Sequence, residues 1–259
     1  MHRSRFVLLA VMCGILAGCG APGKTSSSSD IQATPNSSSS STPVAVLDTF
    51  PISGWQTCGT CGNTGGSSNT AGANYSVADA ASPSVDGLSS KFAIAATSPY
   101  ANAYWWYVNS ANYASSKHVA YEFQLYIPST AREASQAVEF EFQQSSGGMT
   151  YNFAWQANFS RGVWRNFDYA NRVWVATSVP LTMLTPDSWH SIRVEGSRDD
   201  TTVTNTSITI DGVVHTVNSK FAAKNTGFAD RFTNAFQLDS DGTMDPYSVF
   251  VDSMKVEIY

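Results

Sequence analysis

Nine residues do most to fix what this chain can fold into. From Val119 to Ile127 the order is Val-Ala-Tyr-Glu-Phe-Gln-Leu-Tyr-Ile, so Val119, Tyr121, Phe123, Leu125 and Ile127 share one face. A period of two belongs to a β-strand with one side against a core, and Pro128 stops it. The same alternation recurs in Val138–Gln143, Tyr151–Phe159, Ser90–Ala96, Trp189–Glu195 and Phe236–Asp239. Further strands are expected over Val44–Phe50, Tyr75–Ala78, Ala103–Val108, Val249–Asp252 and Met254–Tyr259. Ser207–Val217 reads as a hairpin with Asp211-Gly212 as a primed turn, and Ser145-Ser146-Gly147-Gly148 as a second turn. No window keeps a helical period over three turns, and no fixed repeat appears. The pattern predicts an all-β fold, an antiparallel β-sandwich of jelly-roll type.

Not all 259 residues belong to that domain. Met1–Gly18 has Arg3 and Arg5 followed by an apolar run, Phe6–Ile15, which reads as a signal peptide and is too short to span a bilayer. Gly20–Pro43 is rich in Ser and Pro and lacks Leu, Val, Phe and Trp, so it cannot offset its own ordering entropy. Such a stretch of about 24 residues is a tether with a reach on the order of 25–30 Å. The expected organisation is a signal at 1–18, a tether at 19–43 and one domain at 44–259.

Without Met1–Gly18 there are 13 basic against 20 acidic residues, a net charge of −7. An acidic chain with no basic tract argues against nucleic acid as a partner. Cys58 and Cys61, in Thr-Cys-Gly-Thr-Cys-Gly, lie in a Gly/Asn/Thr-rich loop with no second ligand pair nearby, which favours a small disulfide over a metal or redox motif.

The stretch Gln136–Thr177 gathers carboxylates, amides and large rings. Strand parity puts Glu139, Glu141 and Gln143 on one face, and Thr150, Asn152, Gln156 and Asn158 on the polar face of the next strand. Trp155 falls with Tyr151, Phe153 and Phe159 on the apolar side. Trp164, Arg165, Tyr169 and Trp174 flank an expected hairpin as exposed stacking and pairing groups. Rings for the apolar faces of sugars, with amides and carboxylates for their hydroxyls, suit a polyhydroxylated ligand. Two carboxyls two residues apart also fit glycoside hydrolysis, with Glu139 and Glu141 as the catalytic candidates. Asp48 and Asp252 are weak candidates for a structural calcium, with turn capping the simpler role. His190 and His215 lie inside strand patterns.

Resemblances extend these readings. Leu16-Ala17-Gly18-Cys19 resembles the bacterial lipobox, which implies cleavage before Cys19 and a lipid on its thiol. The Trp189-His190 pair opening a strand, Asp211-Gly212 after the next, and the terminal Val249-Phe250-Val251-Asp252 resemble the concanavalin A-like lectin and glucanase sandwiches, laminin-G-like domains included. The segments YEFQLYIP, QAVEFEFQQ, YNFAWQANF and WRNFDYANRVW are similar to those of a family of secreted bacterial lipoproteins. Laminarinase-type members of the sandwich superfamily carry Glu-x-Asp-x-Glu on one strand. That pattern places Glu139 at the nucleophile, Glu141 at the central Asp and Gln143 at the acid/base, where a glutamine cannot donate the proton. Alginate-lyase-like signatures, Gln-x-His and Tyr-x-Lys-x-Gly, do not occur. The expectation is a surface-anchored, glycan-binding lipoprotein of the bacterial cell envelope, facing the periplasm or the exterior, without catalysis and without a cofactor. Its membrane contact is the lipid alone. The alternatives are a polysaccharide hydrolase or lyase, and a structural or adhesive envelope protein.

Overall fold

The computed structural model describes residues 42–48, 55–58, 72–110 and 113–259. Cys19, Cys61, the signal segment and most of the tether lie outside the described residues, as does the side chain of Cys58. The lipid site and the disulfide expected from the sequence therefore fall outside what the structure describes.

The described residues form sixteen strands in two antiparallel sheets. In chain order they are β1 (Ala45–Asp48), β2 (Gln56–Cys58), β3 (Ala73–Ala80), β4 (Ser89–Ala96), β5 (Asn102–Asn109), β6 (His118–Tyr126), β7 (Ser135–Ser146) and β8 (Gly148–Asn158). The second half holds β9 (Val163–Asp168), β10 (Val173–Pro180), β11 (Trp189–Arg198), β12 (Thr202–Ile210), β13 (Val213–Ala222), β14 (Lys224–Phe228), β15 (Arg231–Ser240) and β16 (Tyr247–Ile258). One sheet runs β13-β12-β11-β6-β16-β4-β3, with β1 on β16; the other runs β10-β9-β8-β7-β15-β5-β2, with β14 on β8. This two-layer sandwich is the expected architecture. The helices are short, α1 over Ser129–Ala134 and a 3-10 turn over Leu181–Met183.

Strand parity builds the core. Phe123 of β6 meets Phe140 of β7 edge to face at 4.8 Å, across the two layers. Phe92 of β4 likewise reaches Trp105 of β5 at 5.2 Å and Phe236 of β15 at 4.6 Å. All five are fully buried. The two expected turns are present. Asp211 and Gly212 both have positive φ (50° and 81°), as a type I′ turn requires, and Gly147 and Gly148 repeat this at 58° and 81°.

Some boundaries move. The closing segment is one twelve-residue strand, β16, which keeps going past Ser253 because that residue adopts φ 54° and absorbs a bulge between Asp252 and Lys255. β15 begins at Arg231, five residues before the alternating Phe236. β3 is longer than expected and forms a sheet edge.

Candidate functional site

Register places the polar residues of the second sheet in rows on the face away from the core. Glu139 lies between Gln156 of β8 and Gln237 of β15, with Tyr104 of β5 beyond. Glu141 lies between Ala154 and Ala235, with Trp106 beyond. Gln143 lies between Asn152 and Thr233, with Val108 beyond. On the far side Arg165 follows Gln156, and Phe167 pairs with Trp174.

This face is hollow and closes over its own centre. Glu139 and Glu141 are each only 2% exposed, and Gln156, Asn158 and Gln237 are buried with them. Parity places these groups on one face as expected, and there they are buried rather than open to a ligand. Asp239 is the missed member. It sits on the same face as Gln237, and Glu139 and Asp239 share a carboxyl–carboxyl hydrogen bond.

Both carboxyls of that pair hold a proton more firmly than usual. Burial first, then the charge and hydrogen bond of Asp239, push Glu139 well above the ordinary carboxylate range, while Gln156 pulls it down. Asp239 is raised to about 6 by burial, while hydrogen bonds from Glu139 and Gln237 oppose the rise. Gln156 Nε2 donates to Glu139 Oε1, and Gln237 Nε2 donates to Asp239 Oδ1 at 2.7 Å. Glu141 is also raised, by burial, although Gln143 Nε2 (3.1 Å) and Asn152 Nδ2 (3.4 Å) both donate to its Oε2. Arg165 reaches none of the three carboxyls; its guanidinium donates to Gln156 Oε1 and to the Trp174 carbonyl, each at 2.9 Å.

Beside Glu139 and Glu141 the face opens into a cavity of about 510 Å³ lined by Gln56, Tyr104, Trp106, Val108, Gln143, Arg231 and Thr233. The Tyr104 and Trp106 rings stack on one another, 5.5 Å apart and inclined by 29°. Both are partly exposed, whereas Trp105 between them is buried in the core. Gln143 gives its amide N–H to Glu141, which leaves its carbonyl oxygen as the acceptor on the cavity side.

Comparisons bear on the fold only. No family model and no curated protein matches the chain. A carbohydrate-binding module of the β-sandwich superfamily is 12% identical and covers 83% of this chain, with a TM-score of 0.43; the chain spans 62% of that structure's length. An alginate lyase from a Chlorella virus is 9% identical, with 84% of this chain and 100% of that one covered and a TM-score of 0.45. The globular domain of T. cruzi calreticulin is 7% identical, with 83% and 88% covered and a TM-score of 0.43. Neither ligand nor activity follows from likeness at this level.

The remaining expected site residues divide. Tyr169 and Trp174 are partly exposed, with Phe167 between their rings (6.2 Å and 4.9 Å), and Arg165 lies 5.9 Å from the Trp174 ring centroid. Trp164 is corrected. It pairs with Ala157, faces the core, packs against Phe140 at 5.6 Å and is wholly buried. Trp155 is wholly buried, as expected. Asp252 is buried and holds a turn: its Oδ2 accepts from the Val85 amide (2.8 Å) and the Ser84 hydroxyl (3.3 Å), and its Oδ1 from Ser253 (3.1 Å). That is the turn-capping role, the simpler of its two expected readings. The side chain of Asp48 lies outside the described residues. Among the described residues no three His, Cys, Asp or Glu side chains converge as a metal-ligand set. His190 is structural, held by Asp211 Oδ2 at 2.7 Å and the Thr185 carbonyl at 2.9 Å.

Proposed function

We propose that the protein binds a glycan in the cavity beside Tyr104 and Trp106 and does not cleave it. The observation that carries this is the ring pair: two partly exposed aromatic rings stack on one another in a hollow whose other walls are amide, hydroxyl and guanidinium groups with one apolar side chain, Val108. Sugar rings stack their C–H faces on such surfaces and turn their hydroxyls to acceptors such as Gln143. The carboxyls named for hydrolysis, Glu139 and Glu141, do not line the cavity. Their role is to fix the amides around them, Glu141 holding Gln143 and Glu139 holding Gln156.

The order of the N-terminal signal, Leu16-Ala17-Gly18-Cys19 and the Ser-rich tether supports display of this domain from a bacterial envelope through a lipid on Cys19. A glycan array probed with the full chain and with Trp106→Ala tests the binding reading. A hit lost in the variant supports it; release of new reducing ends from that hit would favour hydrolysis instead. Incorporation of a labelled fatty acid, abolished in Cys19→Ala, tests the anchor.

A further inference from the structure

The charge of the cavity runs against the charge of the chain. The protein is acidic, yet among the described residues the one charged side chain lining the cavity is Arg231. Its Nε is buried without a hydrogen-bond partner, its guanidinium lies 4.1 Å from the centroid of the Phe228 ring, and among the described residues it joins no ion pair.

Further cations gather next to it. The Lys224 ammonium sits 5.0 Å from the centroid of the Tyr169 ring and is likewise in no ion pair among the described residues. Burial and then Glu141 push the Tyr169 hydroxyl up, while Arg172 and Arg231 act on it in the opposite direction, so both arginines are in electrostatic reach of that ring. The neighbouring acids are engaged with amides: Asp230 accepts from the Gly147 N–H at 2.9 Å, and Asp168 accepts from Asn171 at 2.7 Å. Glu141 stands behind Gln143, whose amide N–H turns towards it and away from the cavity.

We infer that the glycan is anionic, a saccharide carrying carboxylate or sulfate groups, with Arg231 as its main charge contact and Lys224 and Arg172 as a cationic rim. This rests on the glycan-binding reading above. A guanidinium binds either oxyanion with two parallel N–H bonds, so geometry alone admits both. With the sugar ring on Tyr104 and Trp106, its oxyanion points along the cavity to Arg231, and Gln143 accepts from a hydroxyl.

The test is calorimetric titration of the full chain with three oligosaccharides of equal length: an oligogalacturonate, a sulfated galactan fragment and a neutral xylo-oligosaccharide. One of the two anionic probes should bind about tenfold or more tighter than the neutral one, and which one identifies the oxyanion. That preference should shrink severalfold between about 50 mM and about 200 mM NaCl. Arg231→Gln should remove it and leave weak neutral binding in place, and Arg231→Lys should restore part of it. Lys224→Gln, at a partly exposed position, should weaken only the anionic probe, by about threefold. Equal binding of the neutral probe, or an anionic preference that survives Arg231→Gln, overturns the inference while leaving glycan binding intact. Failure of all three probes, together with an empty glycan array, overturns the binding reading itself.

Discussion

Glu139 and Asp239 stand on neighbouring strands, β7 and β15, with their buried carboxyls sharing one proton. Both hold protons more tightly than the unfolded chain does. Their contribution is therefore greatest in acid and declines as pH rises through the ordinary carboxylate values, for Asp239 between about 4 and about 6.

Asp239→Asn replaces the shared proton with a permanent amide donor. It should flatten the dependence of stability on pH and raise stability near pH 7.5 by on the order of 3 kcal/mol, from the rise of Asp239 from 3.8 to about 6. Urea unfolding at several pH values from 4.5 to about 7.5 measures this. An unchanged slope, with loss of stability at the alkaline end, would contradict the pairing.

Gly196 of β11 lies under the ring of Phe153 of β8, so that a Cβ built on it would sit 2.3 Å from Phe153 Cδ1. Its backbone is ordinary, so space alone requires glycine here. Gly196→Ala should lower stability by about 1–3 kcal/mol through overpacking. Gly196→Ala combined with Phe153→Leu should cost less than the sum of the two single changes; additive losses would sink the contact.

The two tryptophans Trp164 and Trp106 should separate stability from binding. Trp164→Ala empties a core site and should cost about 3–5 kcal/mol. Trp106→Ala, on a partly exposed ring, should change stability by no more than about 1 kcal/mol. Thermal melts of both variants decide this, and equal losses would mean Trp106 is a packing residue.

Asp252 fastens the 84–88 turn to β16 by accepting from the Val85 amide and the Ser84 hydroxyl. Asp252→Ala should cost about 1 kcal/mol, since the part-buried Val85 amide and Ser84 hydroxyl lose their acceptor. Amide hydrogen exchange at Val85 should accelerate in the variant, and should do so without added calcium playing any part. Protection of Val85 that depends on calcium would restore the metal reading.

The parts of the site legible in the sequence were those set by a period of two. Glu139, Glu141 and Gln143 do share a face, and Gln156 and Asn158 do join them from the next strand. Their burial was not legible, because it comes from across the sheet. Asp239 and Gln237 lie about a hundred residues away, and nothing local states that β15 pairs with β7. Trp164 misled for a different reason. Val163–Asp168 places Asn166 on the core side and Phe167 on the outer side, so polarity does not report which way the strand faces. Tyr104–Tyr107 is aromatic on both faces, which hid the division between the core ring of Trp105 and the cavity ring of Trp106.

The central claim is that the Tyr104–Trp106 hollow is where a glycan sits. Calorimetric titration of a glycan-array hit against the full chain, Trp106→Ala and Gln143→Ala tests it most directly. The account predicts a loss of about tenfold or more for Trp106→Ala and a smaller loss for Gln143→Ala, with both variants folded. Unchanged affinity in Trp106→Ala would contradict it.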